Sequence, residues 1–180
     1  ERNRALVRHL LPWALLGTAI GTLLFGVFST AAVAGVVGAL TLAFLAQRLL
    51  FPPRAGGPPA PRWVGSACAT VSGFTSFVAH AGGPPISAWL LPLKLPPREL
   101  AATMAVYFGV VNLSKVGPYA WLGLIDLRNM LTALLLLPLA PLGVWAGVWL
   151  TKRVSPALFY RLAYAGMFLT GAKLLWDGLR

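Results

Sequence analysis

Acidic side chains are almost missing from this sequence: 4 Asp and Glu stand against 15 Lys and Arg, for a formal net charge of +11. Those four are scattered. Asp126 and Asp177 fall at the ends of apolar runs, and Glu1 and Glu99 fall between them. Paired carboxylates for acid–base catalysis are therefore excluded. Cysteine is represented once, by Cys68, which excludes an internal disulfide and a Cys-based metal cluster. The two histidines, His9 and His80, have no carboxylate or thiolate nearby, so no metal site and no cofactor is indicated. Charged residues of both signs make up only 11%, where soluble domains carry about 25%. An ordinary soluble globule is excluded.

What fills the chain is apolar: 58% of residues, with a mean hydropathy of +0.76. A basic chain suggests nucleic acid only when its cations coat a soluble body. Here they sit thinly between long apolar runs, so no nucleic-acid partner is indicated. The expected fold is all-α, a multi-pass helical bundle whose partner is the lipid bilayer and whose cations mark cytoplasmic loops.

His9 to Gln47 holds no charged residue. One span needs about 20 residues, so the run predicts two helices with a turn at Phe28-Ser29-Thr30, Ser29 or Thr30 capping the second. Residues 52–62, Pro52-Pro53-Arg54-Ala55-Gly56-Gly57-Pro58-Pro59-Ala60-Pro61-Arg62, predict a surface loop. Trp63 to Leu93 is again uncharged but is interrupted at Gly82-Gly83-Pro84-Pro85. A polar loop from Lys94 to Glu99 leads into a helix over Leu100 to Val116, with Gly117-Pro118 near its end. Asp126 is placed to cap a helix reaching about Leu150. Ser155-Pro156 signals the last helix, to about Trp176. The expectation is five uninterrupted helices and one interrupted element.

Shifted by 126 residues, the sequence partly repeats. Leu10-Leu11-Pro12 falls on Leu136-Leu137-Pro138, Gly17 on Gly143, Gly21 on Gly147 and Ser29 on Ser155. The pairs 10–50 and 136–176 are candidate copies of one unit, each with small-xxx-small spacing for close helix approach. The broken segment and the helix after it then need partners some 126 residues upstream, before Glu1. With no initiator Met, a piece of a longer transporter-like chain is expected. Residues 1–51 would be the end of a first repeat, 52–62 a linker, and 63–180 a second repeat.

Charge parity bears on the broken segment. If 63–93 crosses the bilayer, the cations divide nine against five. If it enters and returns, Arg2, Arg4, Arg8, Arg48, Arg54, Arg62, Lys94, Arg98, Lys152, Arg153 and Arg161 share one side. Arg128, Lys173 and Arg180 then lie opposite. The second arrangement obeys the positive-inside rule better. It predicts a re-entrant element and inverted repeats, a common build of secondary transporters.

The chemistry is expected in Val71 to Pro85. The stretch is apolar enough to be buried, yet holds Ser72, Gly73, Thr75, Ser76, His80, Gly82, Gly83 and Pro84. Broken backbone at membrane depth survives where protein or a wet cavity satisfies its polar groups. A half-helix starting near Pro85 would present free N–H groups and a positive dipole end, an anion site without a charged side chain. The alternative is a Pro-kinked helix or a surface turn. Lys115 is a cation inside an apolar helix, either functional or snorkelling past Gly117-Pro118. Asn112, at i−3, is expected on the same face.

Gly73-Phe74-Thr75-Ser76, His80-Ala81-Gly82-Gly83-Pro84-Pro85 and Leu90-Leu91-Pro92 resemble the second-repeat signature of the TauE/SafE family of sulfite and organosulfonate exporters. Asn112-Leu113-Ser114-Lys115, followed by Tyr119 and Gly123, is similar as well. Many members carry Gly-x-Gly-Gly-Gly where this chain has Ala79-His80-Ala81-Gly82-Gly83. The resemblance spans the chain and implies a bacterial inner-membrane permease exporting a small anion, not necessarily sulfite. It implies a substrate site in Ser72, Gly73, Thr75, Ser76, His80, Gly82, Gly83, Pro84, Asn112 and Lys115. A passive anion channel or a non-transporting assembly subunit are the alternatives, and the oligomeric state stays open. Ser76 and His80, four apart on an apolar turn, are too little for an intramembrane hydrolase.

Overall fold

The structure is a computed structural model describing residues 3–50 and 61–180, less the side chain of Asn129. The loop from Pro52 to Ala60 lies outside the described residues. Among the described residues eight helices follow in order: α1 Arg4–Leu23, α2 Thr30–Leu50, α3 Arg62–Ala79, α4 Gly83–Leu90, α5 Pro97–Trp121, α6 Leu127–Leu136, α7 Leu139–Arg153 and α8 Pro156–Gly178. A 3-10 turn, Leu91–Leu93, extends α4. No strand occurs among the described residues.

The helix starts follow their caps. Asn3 Oδ1 accepts the Leu6 N–H at 3.0 Å. Ser29 Oγ accepts the Ala32 N–H at 3.1 Å, and Ser155 Oγ accepts the Leu158 N–H at 3.3 Å. The last two are the same cap 126 residues apart, on helices starting at Thr30 and Pro156. The apolar count differs from expectation. Among the described residues α1, α2 and α5 are long and apolar enough to cross a membrane, and α6 and α7, bent by 47° at their break, pass only when taken together. Pro12 sits inside the continuous α1, whereas its counterpart Pro138 has Pro141 one turn on. Two prolines within a turn remove the i+4 donors of the Leu134 and Leu137 carbonyls, which instead accept the N–H groups of Leu137 at 3.2 Å and Ala140 at 3.1 Å, and the helix bends between Leu136 and Leu139. α8 is 23 residues long, but Arg161, Lys173 and Asp177 shorten its uncharged stretch.

Directions follow from named contacts. His9 Nε2 lies 3.2 Å from the Arg62 carbonyl, and Gly21 packs on Phe77, so α1 and α3 run parallel. The Asn3 N–H donates to Thr103 Oγ1 at 3.0 Å, and the Asn3 amide donates to Glu99 at 2.8 Å. The starts of α1, α3 and α5 therefore share one end. α3 begins there, α5 begins there, and the chain between them must go out and come back. Gly65 packs on the Trp89 ring and Gly82 on Ser72, so α4 folds back along α3. The segment is a hairpin that returns to the end it left, the arrangement that the charge count favoured. Its outward arm of 18 residues reaches about 27 Å. Thr30 Oγ1 meets the Val78 carbonyl at 3.5 Å, which puts the tip level with the α1–α2 turn, toward the less basic end.

α2 and α8 pack antiparallel: Gly35 lies on Gly178, and Gly38 on Gly171 and Leu175. Arg48 and Lys94 line one cavity at the cationic end, and Lys173 and Asp177 pair at the other. Trp149 lies under Arg153 and Trp176 under Arg180, exposed aromatic anchors near opposite ends.

The tightest seam is α1 on α3. A Cβ added at Gly17 would sit 1.9 Å from the Thr70 carbonyl oxygen, and one at Gly73 would sit 2.0 Å from that of Ala14. The small-xxx-small spacing is thus realised in the first copy. In the second, Gly143 and Gly147 meet nothing within 4 Å. The core between these seams is Leu10, Ala14, Ala69, Ile86, Leu90, Leu100, Tyr107 and Val111. Tyr107 is a packing residue, with its hydroxyl donating to Ala69 at 3.4 Å.

Candidate functional site

An α-helix ends with carbonyls that have no partner within it. α3 ends in a buried cluster level with the α1–α2 turn, so those groups need donors from elsewhere. Each is supplied. The Thr75 carbonyl accepts the Ala81 N–H at 3.1 Å. The Ser76 carbonyl accepts from Lys115 Nζ at 3.1 Å, the Phe77 carbonyl from Tyr119 Oη at 2.7 Å, and the Val78 carbonyl from Thr30 Oγ1 at 3.5 Å. Lys115 also donates to Ser76 Oγ at 3.0 Å. The snorkelling alternative for Lys115 is therefore wrong: it is 4% exposed and turned onto the hairpin tip. A cation there complements the partial negative charge of a helix C-terminus.

The break itself comes earlier than the Gly-Pro pattern suggested. His80 takes a left-handed backbone, φ 51°, and ends α3. This conformation strains a residue with a Cβ by about 1–2 kcal/mol, and His tolerates it better than most. The bond from the Ala81 N–H to Thr75 fixes the reversal. Ser72 Oγ donates to the Gly82 carbonyl at 2.7 Å, and Thr75 Oγ1 shares its one proton between the Val71 carbonyl at 2.8 Å and the Ala81 carbonyl at 3.1 Å. Two buried hydroxyls thus pin the returning strand onto α3.

α4 then starts at Gly83, not at Pro85. Pro84 and Pro85 occupy its first turn, where their missing N–H groups would be unbonded anyway. This narrows the anion-site idea: the prolines contribute no donor. The remaining donors at that end are the N–H groups of Gly82 and Gly83, and neither has an acceptor among the described residues. A Cβ at Gly82 would come within 2.7 Å of Ser76 Cβ and 2.8 Å of the Ser72 carbonyl, so only glycine fits. Beside Gly83 the space is open.

Of the ten residues singled out in the sequence, Ser72, Thr75, Ser76, Gly82 and Lys115 come together. Gly83 and Pro84 follow directly, and the exposed His80 side chain stands at the edge, 6.1 Å from the Tyr119 ring centroid. Two do not join. Gly73 faces the α1 backbone and serves helix packing. Asn112 is exposed and does not share the space of Lys115. The buried stripe of α5 runs Thr103, Tyr107, Val111, Lys115 in steps of four, which leaves Asn112 on its flank. Tyr119 and Thr30 were missed as cap donors. Tyr119 stood one further step of four past Lys115, a signal that was available. The tip combines unpaired backbone donors, a buried cation and no acidic side chain, an arrangement suited to a small anion.

The family model described as sulfite exporter TauE/SafE covers residues 2–174. No curated protein and no solved structure matches the chain.

Proposed function

The chain belongs to the TauE/SafE family, and on that premise we propose that it exports a small anion, sulfite or an organosulfonate, across a bacterial inner membrane. The cationic end, with Arg4, Arg8, Arg62, Lys94 and Arg98, is then cytoplasmic. The anion meets the hairpin tip toward the outer side. The observation that carries this reading is the free N–H pair of Gly82 and Gly83 beside the Lys115–Ser76 contact. Backbone donors at a helix start hold oxyanions without a charged contact, and the ammonium raises the local potential. Ser72 and Thr75 hold the tip in shape, and His80 lines its edge. The opposed directions of α2 and α8, with their shared cap spacing, support an inverted repeat of 1–51 against 63–180.

The test is sulfite and organosulfonate efflux from proteoliposomes of the full-length protein. Efflux above that of empty liposomes, competed by other oxyanions, is expected. Efflux that proceeds only down the gradient under every ion and pH gradient applied would make the protein a passive facilitator. No flux above background would remove the transport reading.

A further inference from the structure

At the cationic end, α2, the Pro92–Lys94 turn and α8 enclose a cavity of about 540 Å3. Its walls are of two kinds. Leu45, Leu49 and Phe168 form an apolar trough, and Arg48 and Lys94 bring two cations to it. Neither cation has a carboxylate within salt-bridge distance among the described residues. The ion pair found there joins Lys173 to Asp177 near the other end. The Arg48 guanidinium lies over the Phe44 ring, 5.3 Å from its centroid, which holds it beside the cavity. Lys94 is held in a left-handed turn, φ 50°, its N–H bonded to the Leu91 carbonyl at 3.2 Å. Arg161 lies one turn before Ala165, another lining residue, on the same face of α8.

The cavity is remote from the hairpin tip, at the opposite end of α3, so it is no part of the anion site there. A free anion would use the cations but not the trough. An apolar ligand would use the trough and leave two cations unpaired. Leu49 and Phe168 are exposed on the outside of the bundle, where an acyl chain arrives from the bilayer. Unpaired cations over an apolar trough at a helix-end level match a lipid with an anionic head. We propose that this cavity binds an anionic phospholipid, with its phosphate between Arg48 and Lys94 and one acyl chain along Leu45, Leu49 and Phe168.

The test is native mass spectrometry of the full-length protein in detergent, titrated with phosphatidylglycerol or phosphatidylcholine. Phosphatidylglycerol is expected to bind at least about ten-fold more tightly. Each cation contributes about five-fold, so Arg48→Gln with Lys94→Gln is expected to weaken it about 25-fold and to weaken phosphatidylcholine, whose choline offsets its phosphate charge, much less. Arg48→Lys with Lys94→Arg keeps both charges and should retain most of the binding, which separates charge from folding. Arg128→Gln, near the other end, should change nothing. Equal binding of the two lipids, wild-type binding by the Gln pair, or loss in the charge-keeping pair as complete as in the Gln pair each overturns the proposal. Displacement of the lipid by inorganic phosphate would reassign the cavity to a free anion and also overturn it.

Discussion

Replacing Lys115 by Met is expected to cut anion efflux at least ten-fold while the protein still folds. Two opposed terms set the stability change. The variant loses two hydrogen bonds to Ser76, and a buried acceptor left unmet costs about 1–3 kcal/mol. It also relieves the burial of an ammonium that has no acidic partner among the described residues, a comparable gain. The methionine stem fills most of the same space. A net change within about 2 kcal/mol follows. Transport has no such offset. Ser76 touches Gly82, so the charge lies one residue from the free N–H groups. A unit charge at ~5–8 Å with an effective dielectric of ~20 contributes ~2–3 kcal/mol to holding an anion, or about 30- to 150-fold. Lys115→Arg is not expected to restore flux, because a planar fork does not fit where a compact ammonium donates to a carbonyl and a hydroxyl on one residue. Efflux from proteoliposomes, read beside the melting temperature, checks both halves. A Met variant that transports at the wild-type rate would leave Lys115 a helix cap and nothing more.

Gly73→Ala and Gly17→Ala are expected to destroy the fold. The new methyl at either site lands about 2 Å from a backbone oxygen of the facing helix. No side chain can move aside, so α1 and α3 must separate, and the seam between them is the longest in the bundle. Overpacking a core by a methylene costs about 1–3 kcal/mol where side chains absorb it. Here backbone meets backbone, and more than about 4 kcal/mol is expected, a loss large enough to need such a specific mechanism. Gly143→Ala and Gly147→Ala meet open space. They should be neutral or gain up to about 1 kcal/mol from helix propensity. Size-exclusion profiles and melting temperatures of the four full-length variants separate the pairs. Equal tolerance of all four would mean that the α1–α3 seam is not as close as described.

The hairpin was legible because cations are few and one-sided. Placing Arg62 and Lys94 at one end divides the cations eleven against three rather than nine against five, which favoured a return of 63–93. The break was found within a few residues, but the glycine and proline signals pointed past it. Proline in a first turn starts a helix as readily as it stops one, so Pro84 and Pro85 marked the beginning of α4, while the reversal falls on His80. The bend before Leu139 was missed because Pro138 had a counterpart, Pro12, that sits in a continuous helix. Only the second proline, Pro141, distinguishes the copies. Gly73 looked like a site residue because it lies among Ser72, Thr75 and Ser76. Its place is fixed by Ala14, far away in sequence, and no local pattern carries that contact. Asn112 failed for the same reason. Three residues before Lys115 is near enough to share a face in general, but the direction of the buried stripe decides, and that direction is set by α3.

The most direct test of an anion site at the hairpin tip is Gly83→Ala. A methyl there meets no heavy atom within 4 Å beyond the chain neighbours, and its clash with the following Pro84 in helical backbone is opposed by a helix-propensity gain of about 1 kcal/mol over glycine. It stands, however, beside the free N–H groups that are proposed to hold the anion. Efflux by the full-length Gly83→Ala protein should fall at least ten-fold at a nearly unchanged melting temperature. Wild-type efflux by a folded Gly83→Ala protein would contradict an anion site built on those donors.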